Sequence, residues 1–254
     1  MWNPAAGIKK FLYNFGFFAR TMKGVGFFMR NKASVKILIM QILFTFVQAM
    51  SISTLLALAI GASVNIIGSS MLAQFSQEQL LYTILIAIVV RELGPLLTAF
   101  IVIARSATAI ATEIAGMVIS HEVEAYISVG VDPIQHLAVP RFLGVTASMV
   151  LLNIYFSVFG LAGSYIVMRF FNSMPMDHYF TNLLQNLNIR DMLLSIIKSV
   201  SFGAIISIGA VIQGFSVERA STEVPVAGLR AVSSAFAFCI VVNVLLSALY
   251  YMVM

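Results

Sequence analysis

The sequence predicts an all-α, polytopic membrane protein with five transmembrane helices, an N-terminal interfacial amphipathic helix and one short helix in a cytoplasmic loop. Three observations carry this. Of the 254 residues, 60% are apolar and only 10% are charged, whereas soluble domains average about 45–50% and about 25%. The mean hydropathy is +0.98. Apolar stretches long enough to cross a bilayer, roughly 20 residues each, recur near 37–60, 80–110, 143–168, 192–217 and 231–254. They consume most of the chain, so 1–254 reads as a single domain, with the interfacial helix at 4–32 and a membrane domain over 35–254.

The N-terminal arm is basic and apolar at once. Lys9, Lys10, Arg20, Lys23, Arg30, Lys32 and Lys36 occur with no acidic residue before position 37. Ile8, Phe11, Leu12, Phe15, Phe18, Met22 and Val25 repeat at helical spacing between them. Such a helix lies in the headgroup region with its cations toward anionic lipid, or packs its apolar face on the protein's own spans. The interleaved phenylalanines argue against a nucleic-acid-binding arm. Residues 1–36 show no short apolar core followed by a small-residue cleavage site, so no cleavable signal is expected.

Lys and Arg bias near span ends sets orientation. The basic arm places the N-terminus in the cytoplasm. Loop 61–79, without Lys or Arg, falls outside. Loop 111–141, with Arg141, returns inside. Loop 169–191 falls outside, loop 218–230 inside, and the uncharged C-terminus outside. Gly61 and Gly68 are expected to close the first span, Asn172 and Pro175 to follow the third, and Pro225 and Gly228 to precede the fifth; residues 178–188 suggest a short outside helix. Cys239 lies within the last span and reads as a small core residue.

Several polar residues interrupt the apolar runs. Arg91 and Glu92 sit mid-span, followed by Gly94 and Pro95. Charges in lipid are costly and face a bundle interior, a cavity or one another. Adjacent helical residues point about 100° apart, so each is expected to find a partner elsewhere. Pro95 lacks the N–H that would bond the Arg91 carbonyl, which predicts a kink and leaves that carbonyl for another donor. The element lines a substrate cavity or pins two helices. Lys198 either pairs with Glu92 or snorkels to the interface. Asn243 reads as a cross-helix hydrogen-bonding residue.

The most informative loop runs from Thr112 to Arg141. Ser120 is expected to cap a short helix whose first turn holds Glu122 and Glu124, and Gly130, Asp132 and Pro133 to end it. A short cytoplasmic helix of this kind suits a groove on a partner protein. No Gly-x-x-x-x-Gly-Lys-Ser/Thr loop is present, so the chain is not itself a P-loop ATPase. His121, Glu122, Glu124 and His136 form no metal-ligand pattern. No catalytic triad stands out, so no enzyme activity and no metal are expected.

Three segments, taken together, resemble the MlaE/YrbE permease family of Mce-associated ABC lipid transporters. They are Arg91-Glu92-Leu93-Gly94-Pro95 through Ala99, Ala104-Arg105 through Thr112-Glu113-Ile114, and Glu122 through Gly130-Val131-Asp132-Pro133 to Val139-Pro140-Arg141. Two departures stand out: Ala104-Arg105-Ser106-Ala107 replaces a Gly-Arg-x-Gly pattern, and Asn243 stands where some relatives carry an acid. The resemblance implies a homodimeric permease in the inner membrane with cytoplasmic P-loop ATPase subunits, a periplasmic Mce-domain protein and a lipid substrate. ATP and Mg would sit on the ATPase, with no cofactor on this chain. It also implies a cytoplasmic coupling segment over 113–137, in which Glu113, Glu122, Glu124, Tyr126, Gly130, Asp132 and Pro133 seat on the ATPase. Arg91, Glu92, Gly94, Pro95, Lys198 and Asn243 would border the lipid cavity. A nucleotide-independent ion- or proton-coupled carrier using Arg91 and Glu92 is the competing expectation.

Overall fold

A computed structural model describes residues 16–25, 32–72, 78–172, 175–218 and 220–253, and every regular element among them is helical. Helix α1 covers 16–25 and α2 Lys32–Leu72. One continuous helical path then comprises α3 (Glu78–Leu85), a π-helical stretch Ile86–Leu93, α4 (Gly94–Val102), a second π stretch Ile103–Ala107 and α5 (Thr108–Ile119). The short α6 (Glu122–Ser128) and a third π stretch, Ile134–Ala138, lead into α7 (Val139–Asn172). The chain continues through α8 (Met176–Asn186), α9 (Ile189–Phe215) and α10 (Glu223–Val253). Among the described residues, five spans are long and apolar enough to cross a membrane: Lys36–Ser70, Leu80–Ile119, Ile134–Phe170, Ile189–Phe215 and Glu223–Met252.

The spans follow the expected order but extend further. Gly61 and Gly68 do not end the first span, because in lipid they serve close packing. A Cβ on Gly61 would collide with the Gly160 carbonyl, and one on Gly68 with the Leu81 side chain. The fifth span begins at Glu223 with Pro225 in its first turn, where a missing N–H is tolerated. Gly228 lies inside that helix, against the methyl groups of Thr108 and Thr112. Asn172 ends α7 as expected, and α8 supplies the short helix anticipated at 178–188.

The chain divides into two compact units. The first comprises residues 1–45, 102–147 and 203–238. Ala115, Val217 and Ala227 form a buried cluster there, with Ile119 and Val224 packed against it. Small residues bring its helices close: Gly203 approaches the Thr146 backbone and Gly214 approaches Ile114. Lipid supplies no hydrophobic drive between helices, so such van der Waals contact carries the association. Helix α1 buries Phe17 and Thr21 in this unit and leaves Phe18 and Met22 exposed. The helix therefore packs on its own spans through a face one residue removed from the predicted stripe, while Phe18 and Met22 keep the outward apolar character. The rest of the 4–32 prediction lies outside the described residues, except that Lys32 already opens α2.

The second unit comprises residues 46–101, 148–202 and 239–254. Buried Ala49, Ser53, Ala57 and Asn65, with Gly61 among them, recur every fourth residue along α2 and face α7. There, added methyls on Gly160 and Gly163 would meet Val89 and the Leu58 backbone. Ala57, Leu85, Val89 and Phe156 form one core cluster. Leu81, Tyr82, Met168, Tyr179 and Leu183 form another, which seats α8. The Tyr179 hydroxyl bonds Ser164 and donates to the Leu161 carbonyl. Burial pushes this phenol up to about 12. Cys239 is fully buried, as expected of a core residue.

Candidate functional site

Arg91 and Glu92 of the second span lie in the π stretch Ile86–Leu93, immediately before Gly94-Pro95. Proline cannot bond the carbonyl four residues back and its ring crowds it. A wide π turn stands where the kink is expected, and such a turn accommodates both effects. The Val90 and Arg91 carbonyls of this turn are both met by α9, with side chains three residues apart on one face. The Ser195 hydroxyl donates to the Val90 carbonyl at 2.8 Å. Lys198 Nζ donates to the Arg91 carbonyl at 3.3 Å, the partner anticipated for that group. Asn153 Nδ2 fixes Ser195 by donating to its Oγ at 2.7 Å. Gly94 must lack a side chain, because a Cβ there would meet Asn153 Oδ1 and the Val89 carbonyl at 2.8 Å.

Lys198 does not snorkel. It is fully buried and donates to Glu92 Oε2 at 2.7 Å and to Ser247 Oγ at 2.7 Å. Ser247 in turn donates to the same carboxylate at 3.0 Å. Arg91 turns to other partners. One guanidinium nitrogen donates to Asp191 Oδ1 at 3.3 Å and the other to the Tyr251 hydroxyl. The rings of Tyr250 and Tyr251 lie 5.2 and 5.1 Å from its central carbon, within cation–π range. Tyr250 donates to Asp191 Oδ1 at 2.8 Å. Each of the two neighbours thus finds its closer partners on other helices, as expected, and they also approach one another, with Arg91 Nε 3.6 Å from Glu92 Oε1. That contact is looser than the bonds each makes to other elements.

Two cations and two carboxylates thus balance in a cluster that ties the π stretch to α9 and α10. Sequence reasoning found Arg91, Glu92, Gly94, Pro95 and Lys198, but missed Asp191, Ser195, Ser247, Tyr250 and Tyr251. Ser195 and Lys198, at helical spacing, were the one available signal. The cross-helix hydrogen bond expected of Asn243 is not seen at its oxygen: Oδ1 is buried without a partner among the described residues. Asn243 lies one turn before Ser247 on the same face of α10.

The connector between the second and third spans is a separate element of the first unit. Helix α6 has no buried residue and carries Glu122 and Glu124 in its first turn. Ser120 does not cap it. His121 occupies the N-cap in a left-handed conformation, φ 60°, without a capping side-chain bond. Ser120 Oγ instead donates to the Gly116 carbonyl and to Glu122 Oε1, each at 3.0 Å. Termination follows expectation: Gly130 adopts φ 78°, and Asp132 Oδ1 accepts the Ile134 N–H at 2.9 Å. Pro133 opens the π stretch Ile134–Ala138. Tyr126 stacks on His136 with ring centroids 5.1 Å apart. Ile127 and Val129 are 61% and 74% exposed, an apolar tip at the end of α6. Glu113 stands apart from this group, in α5, held by Arg141 at 2.8 Å. No cluster among the described residues could hold a metal ion.

Comparison with known proteins places these features in context. Residues 38–249 match the family described as Permease MlaE. A probable ABC transporter permease protein of Rickettsia typhi is 26% identical over 245 residues, covering 96% of this chain and 95% of the relative. The intermembrane phospholipid transport system permease protein MlaE of Haemophilus influenzae is 26% identical over 206 residues, covering 81% and 79%. The chloroplastic protein TRIGALACTOSYLDIACYLGLYCEROL 1 of Arabidopsis thaliana is 29% identical over 118 residues, covering 46% and 34%.

Proposed function

This chain belongs to the MlaE permease family, and on that premise we propose that it moves phospholipid, or a similar amphiphile, between the inner membrane and a periplasmic Mce-domain partner. The observation that carries the reading is the similarity, over most of both chains, to a permease named for intermembrane phospholipid transport. The working unit is a homodimer with cytoplasmic P-loop ATPase subunits that bind ATP and Mg. The N-terminus is cytoplasmic and the C-terminus periplasmic. Helix α6 and the segment through Pro133 form the coupling element, with Glu122, Glu124, Tyr126, Gly130, Asp132 and Pro133 toward the ATPase and Glu113 bracing its base. The exposed apolar tip at Ile127 and Val129 supports this assignment, since exposed apolar side chains next to charges suit a protein groove.

Arg91, Glu92, Gly94, Pro95, Lys198 and Asn243 border the lipid path in this reading. The interlocked bonds of Arg91, Glu92 and Lys198 make that cluster a rigid wall rather than a set of free charges, and apolar side chains nearby serve the acyl chains. ATP-driven motion of α6 shifts the spans and drives lipid out of or into the cavity. Membership in a family of ABC permeases displaces the nucleotide-independent carrier. The test is affinity purification of the tagged, full-length chain from its native operon, followed by mass spectrometry of proteins and retained lipids. A P-loop ATPase, an Mce-domain protein and bound phospholipid are expected. Recovery without any ATPase would overturn the proposal.

A further inference from the structure

A cavity of about 490 Å3 opens at the surface of the first unit, between α1, α6, the segment after α6 and the end of α9. That size lies within the roughly 300–1,000 Å3 of small-molecule sites. Phe17, Ile127, Ile134 and Phe215 supply apolar walls, and the Phe17 and Phe215 rings lie 6.2 Å apart. Among the described lining residues two are charged, Arg20 and Asp132, and their signs are opposite. Among the described residues, the Arg20 guanidinium has no acidic partner. Asp132 uses Oδ1 to hold the Ile134 N–H, which leaves its second oxygen for another donor.

The depth of the cavity follows from α1. Phe18 and Met22 are 37% and 45% exposed, while Arg20 and Lys23 are exposed beside them. A helix with that division lies at the headgroup boundary of a bilayer, and its buried Phe17 forms part of the cavity wall. An apolar cleft at headgroup depth, with one cation and one carboxylate, complements a lipid carrying one anion and one primary cation. We propose that this cavity binds a zwitterionic aminophospholipid from the adjacent leaflet, with its phosphate on Arg20, its ammonium on Asp132 and its glycerol and upper acyl chain against the phenylalanine and isoleucine walls. A purely anionic lipid would set its headgroup against Asp132 uncompensated. Inorganic phosphate would leave the apolar walls unused. The site shares no residue with the Arg91–Lys198 cluster, so it stands whether or not the chain transports lipid; it does share Asp132 and Pro133 with the segment proposed above to couple to the ATPase. A lipid seated there touches α1, α6 and the end of α9 together, which lets leaflet composition act on the connector helix.

The test is photolabelling of the full-length chain in nanodiscs doped with diazirine-acyl phosphatidylethanolamine or diazirine-acyl phosphatidylglycerol, with the labelled peptides located by mass spectrometry. In the wild type, phosphatidylethanolamine should label the peptides containing Phe17, Ile127 or Phe215 in preference to phosphatidylglycerol. Asp132→Asn retains the oxygen that accepts the Ile134 N–H and removes only the charge, so it should abolish the preference by roughly tenfold. Arg20→Gln alters an exposed side chain and should reduce labelling by both lipids at these peptides by a similar factor. Labelling elsewhere and the thermal transition should stay unchanged in both variants. Equal labelling by the two lipids in the wild type, or an unaltered pattern in both variants, overturns the proposal. So does a cavity that takes no lipid and is shielded by a co-expressed protein partner.

Discussion

Replacing Lys198 by methionine removes the most buried charge of the cluster while nearly preserving volume. The carboxylate of Glu92 then loses a 2.7 Å donor, and the Arg91 carbonyl, already without its helical partner, loses a 3.3 Å one. Breaking one side of a buried ion pair costs about 3–5 kcal/mol. The Glu92 side chain is 30% exposed, so water meets part of the loss and about 2–3 kcal/mol is expected. At about 2–4 °C per kcal/mol for a chain of this size, the thermal transition in detergent should fall by about 4–12 °C. Glu92→Gln in the same background removes the orphaned charge and retains a group for Ser247, so the double variant should recover a substantial part of the loss. The recovery is partial because the Arg91 carbonyl stays unpaired. The assay is a double-mutant cycle on the melting of the purified protein. Losses that simply add, within about 0.5 kcal/mol, would refute the coupling. A Lys198→Met variant that melts like the wild type yet no longer retains lipid would refute the interlocked wall.

Gly61→Val should destabilise the chain by about 1–3 kcal/mol, because its Cβ meets the Gly160 carbonyl. Gly209→Ala, where the added methyl meets nothing, should be neutral or stabilising by up to about 1 kcal/mol, and detergent melting distinguishes the two. Reversing charge with Glu122→Lys and Glu124→Lys together should weaken ATPase co-purification several-fold and leave membrane insertion intact; unchanged assembly would remove α6 from that interface. Tyr179→Phe should lower stability by about 1 kcal/mol. The phenol is raised in the folded state to about 12 from its ordinary 10.0. Its contribution is therefore full below pH 10 and lost as pH rises toward 12, so the melting curves of wild type and Tyr179→Phe should converge across that window.

The span count was legible because hydropathy over 20 residues is a local property. The ends of the first and fifth spans were less so, since a glycine in lipid reads as a break until a second helix is laid against it. The Gly61–Gly160 approach depends on α7, about a hundred residues along the chain. Pro95 gave both the disruption and the freed Arg91 carbonyl, because the lost N–H is chemistry of a single residue. The partners of Arg91 were hidden, because Asp191, Tyr250 and Tyr251 come from helices far along the chain. The Ser120 cap failed for a local reason, since His121 takes the left-handed conformation and hands Ser120 to the preceding helix.

The interlocked cluster also has an order in time. Glu92 finds Lys198 106 residues later in the chain and Ser247 155 residues later. At about 5–20 residues per second of synthesis, Glu92 is made roughly 5–20 s before Lys198. Through that interval Arg91 and Glu92 have only each other, and a carboxylate and a guanidinium with no further partner are poor company for hydrocarbon. The second span is therefore expected to settle in the bilayer only after the fourth span arrives, and to be secured when the last turns of the fifth bring in Ser247 and the two tyrosines. Truncation of those final turns should leave a chain that is inserted in part and open to membrane proteases, although every apolar span before it is intact.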